Sequence, residues 1–259
     1  YEPGITYPAS LKQILIDACT QCNVALHTLD FTNGSYVVSQ RPEGDDITFH
    51  HVVGWIAELA GCCAWIDELA RLRLSWYGDN QQLPADELEI TPDHRYSYEL
   101  AEADITITGI AFRTTIPGED GAEDEEVGYL AGTDEYALVI EENPLLQENF
   151  ESVLSAIYAK IGGFSYRPFD FEILGYPHVW PGDQVTRIID ADGEEHTSII
   201  TNHRYKLNGK SSIEARGETE TVRGYATGAP FTPRQKRVLR SVARVEAARQ
   251  TSHIEQATL

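Results

Sequence analysis

The stretch QVTRIIDADGEEHTSIIT, residues 184–201, decides the fold class. Apolar and polar residues alternate along 184–189 and again along 197–201, as they do in strands that bury one face. The dipeptide Asp192-Gly193 between them has the backbone freedom that a tight hairpin turn requires. The stretch therefore predicts two antiparallel strands joined by a short turn.

The same pattern continues on both sides of this hairpin. Asn208-Gly209 is a second hairpin signal, and one helix, ended by Gly162-Gly163, is predicted over residues 146–161. Further alternating segments lie at 96–100, 105–112, 136–140, 169–173 and 212–215. We predict an antiparallel β-barrel or sandwich domain with one helix over residues 93–217.

Residues 1–78 predict a smaller α+β module. The apolar residues between Leu11 and Cys22 follow helical spacing, and Ser10 is placed to cap the first turn. A second amphipathic helix follows Thr48. Short strands are predicted at 36–38, 64–67 and 72–77. The predicted fold class of the whole chain is α+β, mainly β.

Two connectors and a C-terminal helix complete the predicted organisation. Residues 79–92 and 218–233 are rich in Gly, Pro and polar residues, which is typical of linkers. Residues 234–259 are strongly helix-forming, and Val238, Val242 and Val245 have the spacings of four and three that begin a heptad seam. A helix with so few apolar residues is only marginally stable in isolation. We therefore predict that these valines mediate oligomerisation.

Charge is unevenly distributed along the chain. The 259 residues carry 41 acidic and 20 basic side chains, a net charge of −21. Residues 234–259 hold six basic and two acidic side chains, which leaves a net charge of −25 on the first 233 residues. A region with this much negative charge repels nucleic acid phosphates. The apolar runs are shorter than the roughly 18 residues of a membrane span, so we expect no stable membrane insertion.

The four cysteines and a histidine pair are candidate metal ligands. Cys19 and Cys22 form a C-x-x-C pair, and Cys62-Cys63 could supply two more sulfurs to zinc. The first pair lies on a predicted helix and adjacent cysteines point in different directions, so buried core cysteines are favoured. For His50-His51, an exposed position at a helix start is favoured over a metal site.

No catalytic, cofactor-binding or metal-binding residue is predicted. The acidic run 119–126 lacks the ligand pattern of an EF-hand loop and predicts a solvated hairpin tip. Asp183 follows a Pro-Gly turn that leads into the strand at 184–189. This turn position explains the presence of an aspartate without a catalytic role. The chain contains no phosphate-binding loop, dinucleotide fingerprint or G-x-S-x-G motif.

Several segments, taken in order, resemble the tail hub proteins of tailed bacteriophages and prophages, a family that includes tail-tip and tail-associated lysin-like proteins. The matching segments are SLKQIL at 10–15, GWIAELAGC at 54–62, LRLSWY at 72–77, EENPLL at 141–146, GYP at 175–177 and WPGDQV at 180–185. The resemblance extends over roughly residues 10–220. It departs from the family at Glu68-Leu69-Ala70-Arg71, where relatives often have an Asp-Gly turn.

The resemblance implies a structural component of the virion, made in the bacterial host cytoplasm. It implies a homo-oligomer, expected to be a trimer, that forms a ring capping the tail tube. Its expected partners are other tail proteins: the tube or distal tail protein, and a fibre or a lysin. DNA is expected to pass through the ring without specific binding, since an acidic lumen repels phosphates. The chain has no methionine, so we expect it to be a piece of a longer tail protein.

Two other classes of function are kept as alternatives. In one, the β-rich domain is a receptor- or glycan-binding module that uses Trp76, Tyr77, Tyr176 or Trp180 as stacking platforms. Core or interface packing is favoured for these four aromatic residues. In the other, the chain is the scaffold part of a tail-associated peptidoglycan hydrolase.

Overall fold

The computed structural model describes residues 1–44, 47–77, 82–83, 89–91, 93, 95–116, 125–141, 143–206 and 209–215. Within these residues the chain forms three α-helices, α1 (Leu11–Gln21), α2 (Phe49–Leu59) and α3 (Phe150–Ile161). None of these helices has the length and apolar content needed to cross a membrane.

The first two helices begin at the residues that the sequence predicts. Ser10 caps α1: its hydroxyl accepts a hydrogen bond from the Gln13 backbone N–H at 3.3 Å. The Gln13 side chain in turn accepts from the Ser10 backbone N–H at 2.9 Å, which completes a capping box. Thr48 and His51 form the same arrangement at α2.

The third helix begins four residues later than predicted. Leu145 and Leu146 are buried before it starts, and the Leu146 N–H donates to the Asn143 carbonyl in a turn. The helix begins only after Asn149, which has a left-handed backbone with φ of +56°. The two leucines therefore anchor the approach to the helix instead of forming its first turn.

Eighteen short strands are found in the described residues. They are β1 (Ala9–Ser10), β2 (Ala25–Leu26), β3 (Val37–Val38), β4 (Cys63–Ile66), β5 (Arg71–Ser75), β6 (Gln82–Leu83), β7 (Glu89–Ile90), β8 (Arg95–Leu100), β9 (Ile105–Thr106), β10 (Gly109–Ile116), β11 (Glu125–Gly132), β12 (Ala137–Glu141), β13 (Ser165–Tyr166), β14 (Phe169–Leu174), β15 (Gln184–Ile189), β16 (Glu195–Ile199), β17 (Asn202–Lys206) and β18 (Lys210–Ala215). The predicted class, α+β and mainly β, is confirmed.

The strands form six separate sheets. Three have two or three strands in the order β1-β3, β13-β9 and β2-β5-β4, and a fourth has the order β11-β10-β12. The two larger sheets have the order β17-β18-β14-β8 and β16-β15-β6, and β7 also pairs with β15. No sheet closes into a barrel within the described residues.

Not all of the pairing is antiparallel as predicted. β10 pairs with β12, β2 with β5, and β15 with both β6 and β7 in parallel. Parallel neighbours need a crossover connection, which leaves no hairpin signature in the sequence. By contrast, β15 and β16 form the predicted antiparallel hairpin, with Gly193 at φ of +87° in its turn.

The strand β11 is not predicted by the sequence pattern. It pairs with β10 in antiparallel register from Gly109 opposite Gly132 to Ile116 opposite Glu125. The last two residues of the acidic run, Glu125 and Glu126, belong to this strand. Residues 119–124 lie outside the described residues, so the predicted tip itself is not described.

Buried apolar side chains form two cores. The first core combines α1, α2 and α3 with strands from both halves of the chain, and includes Leu15, Ile56, Phe112 and Ile157. The second core lies under the two larger sheets and includes Phe171, Val185, Ile188 and Ile213. The first core thus contains residues from both predicted units, and the division into 1–78 and 93–217 stays a prediction.

Candidate functional site: an aromatic cleft

A cleft of about 450 Å³ lies between residues of the two cores. Five aromatic side chains line it, and we call it the aromatic cleft: Trp76, Tyr77, Tyr136, Phe164 and Tyr166. Its remaining lining is apolar, apart from Cys63 and a polar wall made by Thr201, Asn202 and Glu214. The volume falls within the range of about 300–1,000 Å³ that small-molecule sites occupy.

The ends of regular elements bring these aromatic residues together. Trp76 and Tyr77 directly follow β5, and Tyr136 directly precedes β12. Phe164 follows the turn that ends α3, where Gly163 has φ of +77°. Two backbone hydrogen bonds fix that turn: Gly163 N–H donates to Ile107 O at 2.8 Å, and Ile107 N–H donates to Phe164 O at 2.9 Å.

Trp76 packs edge to face against its neighbours, whereas the Tyr77 and Phe164 rings lie nearly parallel, 6.4 Å apart at 25°. The Trp76 ring lies 5.7 Å from that of Phe164 at 77°, and 5.1 Å from that of Tyr77 at 74°. The Phe164 and Tyr166 centroids are 6.2 Å apart. Such pairs stabilise by about 0.5–1.5 kcal/mol beyond the area they bury, so the aromatic walls hold one another in place.

The polar wall is organised around Glu214. Asn202 donates from Nδ2 to Glu214 Oε1 at 2.6 Å. The Thr201 hydroxyl donates to the Glu214 carbonyl at 2.9 Å, which fixes the neighbouring backbone. Among the residues that line the cleft, Glu214 is the one carboxylate, and none is Lys, Arg or His. The cleft therefore combines aromatic walls with one negative charge.

Cys63 does not add a reactive nucleophile to the cleft. Desolvation raises the pKa of its thiol above the ordinary value. The hydrogen bond with Tyr77 lowers the pKa, but by less than desolvation raises it. A thiol with a raised pKa stays protonated at neutral pH, and the thiolate is the reactive form.

The four aromatic residues considered from sequence occupy three different places. Trp76 and Tyr77 lie together in the aromatic cleft. Tyr176 packs partly buried against the second core and contacts His178 edge to face. Trp180 is 52 % exposed and lines a separate groove with Trp65. They do not form one binding surface.

The cysteines are less buried than predicted. Cys19 is buried and Cys62 packs partly buried against the first core, but Cys22 and Cys63 are exposed, so the prediction is wrong for these two. Cys22 follows the last turn of α1, and Cys63 is the first residue of β4. No disulfide joins the four cysteines. His50 and His51 are exposed at the start of α2, as predicted.

Asp183 has the structural role that the sequence suggests. It is buried and precedes β15, and its carboxylate accepts from the Trp180 N–H at 2.7 Å. Burial raises the pKa of this carboxyl, against the opposing effect of that hydrogen bond. The hydrogen bond closes the turn that leads into the strand.

One group in the described residues has the composition of a metal site. Ligand atoms of Asp190, Glu194 and His196, in the β15–β16 hairpin, lie within 4.8 Å of one another. Asp190 Oδ1 already accepts from the backbone N–H groups of Asp192 and Glu194, both at 2.9 Å. The His196 ring lies 3.0 Å from Asp190 Oδ2, and this contact is the main cause that lowers the pKa of Asp190. The hydrogen bonds that Asp190 accepts stabilise the turn of this hairpin.

The predicted oligomerisation residues Val238, Val242 and Val245 lie outside the described residues, as do the linker 218–233 and the helix 234–259. No sequence pattern distinguishes Tyr136, Phe164, Tyr166 or Glu214 as site residues. Each lies within or near the end of a regular element, and its neighbours in the sequence do not differ from those of a core residue.

Comparison with known proteins finds likeness in structure alone. No protein-family model matches the sequence, and no curated protein matches it. A tail protein from Neisseria meningitidis has a similar fold, with a TM-score of 0.51 and 10% sequence identity over 82% of this chain and 67% of that one. The 43 kDa tail protein of prophage MuSo2 from Shewanella oneidensis aligns with a TM-score of 0.44 and 12% identity over 81% of this chain. The chain spans 63% of the length of the Shewanella protein.

Proposed function

We propose that the chain is a structural protein of a bacteriophage or prophage tail. The observation that carries the proposal is the fold: 82% of the chain follows that of the tail protein from Neisseria meningitidis. The ordered segments between residues 10 and 220 that resemble tail hub proteins support the same conclusion. On this proposal the protein belongs to the virion and its role is not enzymatic.

The finer proposal is a ring at the tail tip that caps the tube and connects it to distal fibres or a lysin. The net charge of −25 on the first 233 residues supports it, because a passage for DNA must not bind phosphates. Oligomerisation through Val238, Val242 and Val245 supplies the contact that holds the ring together, and three copies are expected.

Deletion of the coding gene from the phage or prophage tests the tail role. We expect particles without functional tails, restored by a copy supplied in trans, and peptides of this chain in purified wild-type particles. Intact infectious tails after deletion would contradict the proposal. Clearing of cell walls in a zymogram, lost with one carboxylate variant, would instead favour the hydrolase alternative.

Substitution of the valine seam tests the oligomer. The variant V238D/V242D/V245D places three charges on the predicted seam, and we expect a lower mass in sedimentation equilibrium than for the wild type. The variant A243D/A247D/Q250D adds the same charge away from the seam and serves as the control. Equal masses for all three proteins would show that the seam does not assemble them.

A further inference from the structure

We propose that Cys62 and Lys160 form a covalent sulfenamide crosslink when the protein meets hydrogen peroxide. The Nζ atom of Lys160 lies 2.7 Å from the Sγ atom of Cys62, although 98 positions in the sequence separate the two residues. Both atoms also contact the Ala60 carbonyl oxygen, each at 3.5 Å. A sulfur and an amine thus meet where α2 ends.

Regular structure on both sides brings the two groups together. Gly61 follows the end of α2 with φ of +58°, and the Cys62 N–H then donates to the Ala57 carbonyl at 2.9 Å. Lys160 belongs to the last turn of α3. Because both helices pack in the first core, the fold itself sets the contact between the sulfur and the nitrogen.

The surroundings of Cys62 favour reaction with a small oxidant. The thiolate is the reactive form of cysteine, and a neighbouring lysine ammonium stabilises it. The contact with Lys160 is exposed, and Cys62 also lines an open groove of about 540 Å³ beside α1 and α2. Hydrogen peroxide can therefore reach the sulfur from solvent.

The crosslink forms in two steps that use one molecule of peroxide. In the first, the Cys62 thiolate attacks a peroxide oxygen, so that an S–O bond forms and the O–O bond breaks. The departing hydroxide takes a proton from the Lys160 ammonium and leaves as water. The products are a sulfenic acid and a free amine, and the sulfur has lost the two electrons that the peroxide gained.

In the second step the Lys160 amine attacks the sulfur of the sulfenic acid. An S–N bond forms and the S–O bond breaks, and the departing hydroxide takes a proton from the nitrogen and leaves as a second water. A sulfenic acid condenses with a thiol or with a nitrogen. The amine already touches this sulfur, so the nitrogen is the expected partner, and the new bond joins the end of α2 to the end of α3.

Peptide mapping of the full chain after peroxide treatment tests the proposal. We expect a linked pair of peptides that joins Cys62 to Lys160, about 2 Da lighter than the two peptides together. Dithiothreitol is expected to release both peptides with their original masses. Treated protein in which Cys62 keeps a free thiol, or enters only a disulfide, would overturn the proposal.

Matched variants identify the two partners. Lys160→Arg keeps a positive charge beside the sulfur but removes the primary amine. We expect it to lose the crosslink and to accumulate the Cys62 sulfenic acid, which dimedone labels. Cys63→Ser removes the adjacent thiol and is expected to crosslink like the wild type. Thermal melting of the untreated variants confirms that they are folded. A crosslink that persists in Lys160→Arg would overturn the proposal, since another group would then have captured the sulfur.

The rate of alkylation by iodoacetamide measures the activation of Cys62 separately. We expect Lys160→Gln, which removes the charge, to slow alkylation of Cys62 about tenfold, and Lys160→Arg to change the rate little. Equal rates in the wild type and Lys160→Gln would contradict activation by Lys160. All these measurements concern one pair of residues in the isolated chain, so their failure leaves the proposed tail role untouched.

Discussion

At the scale of single residues, Asp67 organises the turn between β4 and β5. Its side chain is fully buried, and its Oδ2 atom lies 2.8 Å from Arg71 and 2.9 Å from Arg73. Its Oδ1 atom accepts from the backbone N–H groups of Leu69 and Arg71. Burial raises the pKa of this carboxyl, but these hydrogen bonds outweigh it and hold the pKa far below the ordinary value.

Asp67→Asn is therefore expected to lower the melting temperature at neutral pH. Because the folded-state pKa is depressed, the stabilisation is complete above the unfolded-state pKa of about 3.9 and is lost as the pH falls toward the folded-state pKa. Thermal melts of both proteins at several pH values should show a difference that shrinks below about pH 4. Asp30→Asn, at an exposed ion pair with Lys12, is the control and should change little. A difference that grew on acidification would contradict this account.

Ala70 occupies a position in the same turn that favours glycine. Its φ is +57°, in the left-handed region, where a side chain costs about 1–2 kcal/mol. Glycine removes this cost but loses more freedom on folding, by about 0.5–1 kcal/mol. We expect Ala70→Gly to raise the free energy of unfolding by about 0.5–1 kcal/mol in urea titrations. Leu69→Gly, at a residue without positive φ, should lower it, and a loss of stability in Ala70→Gly would refute the strain argument.

At the scale of elements, Asn143 connects α2 to the segment that leads into α3. Its Nδ2 atom donates to the Trp55 carbonyl and to Glu58 Oε2, both at 2.9 Å. Its Oδ1 atom accepts from the Leu145 N–H at 3.1 Å. Since Asn143 is only 3 % exposed, water cannot readily replace these hydrogen bonds.

Asn143→Ala is expected to lower the free energy of unfolding by about 1–3 kcal/mol. Burial raises the pKa of Glu58, and the Asn143 amide opposes that rise. Without the amide the ionised Glu58 is harder to accommodate, so the loss should be larger at pH 7 than at pH 5. Denaturant titrations at both pH values measure this, with exposed Glu148→Ala as the control. An equal loss at both pH values would show that Glu58 plays no part.

The features of the fold that could be predicted are those encoded by short stretches of sequence. The caps at Ser10 and Thr48 and the Asp192-Gly193 turn depend on neighbours within four residues. The parallel pairing of β10 with β12 depends on contacts that no short pattern encodes. The aromatic cleft is harder still, because it joins Trp76 to Phe164 and Glu214 from distant parts of the chain.

At the scale of the whole molecule, we propose that the acidic residues 1–233 and the basic C-terminal segment assemble into a tail-tip ring. The likeness to the tail protein from Neisseria meningitidis is one of fold. The proposed passage that repels DNA rests on the charge distribution along the sequence. The seam formed by Val238, Val242 and Val245 is the proposed contact between copies.

Averaged electron micrographs of purified particles, with the chain marked by a specific antibody fragment, show where the protein lies and in how many copies. We expect labelling at the tail tip alone, with threefold symmetry. Labels along the tube with sixfold symmetry, or particles without any label, would contradict it.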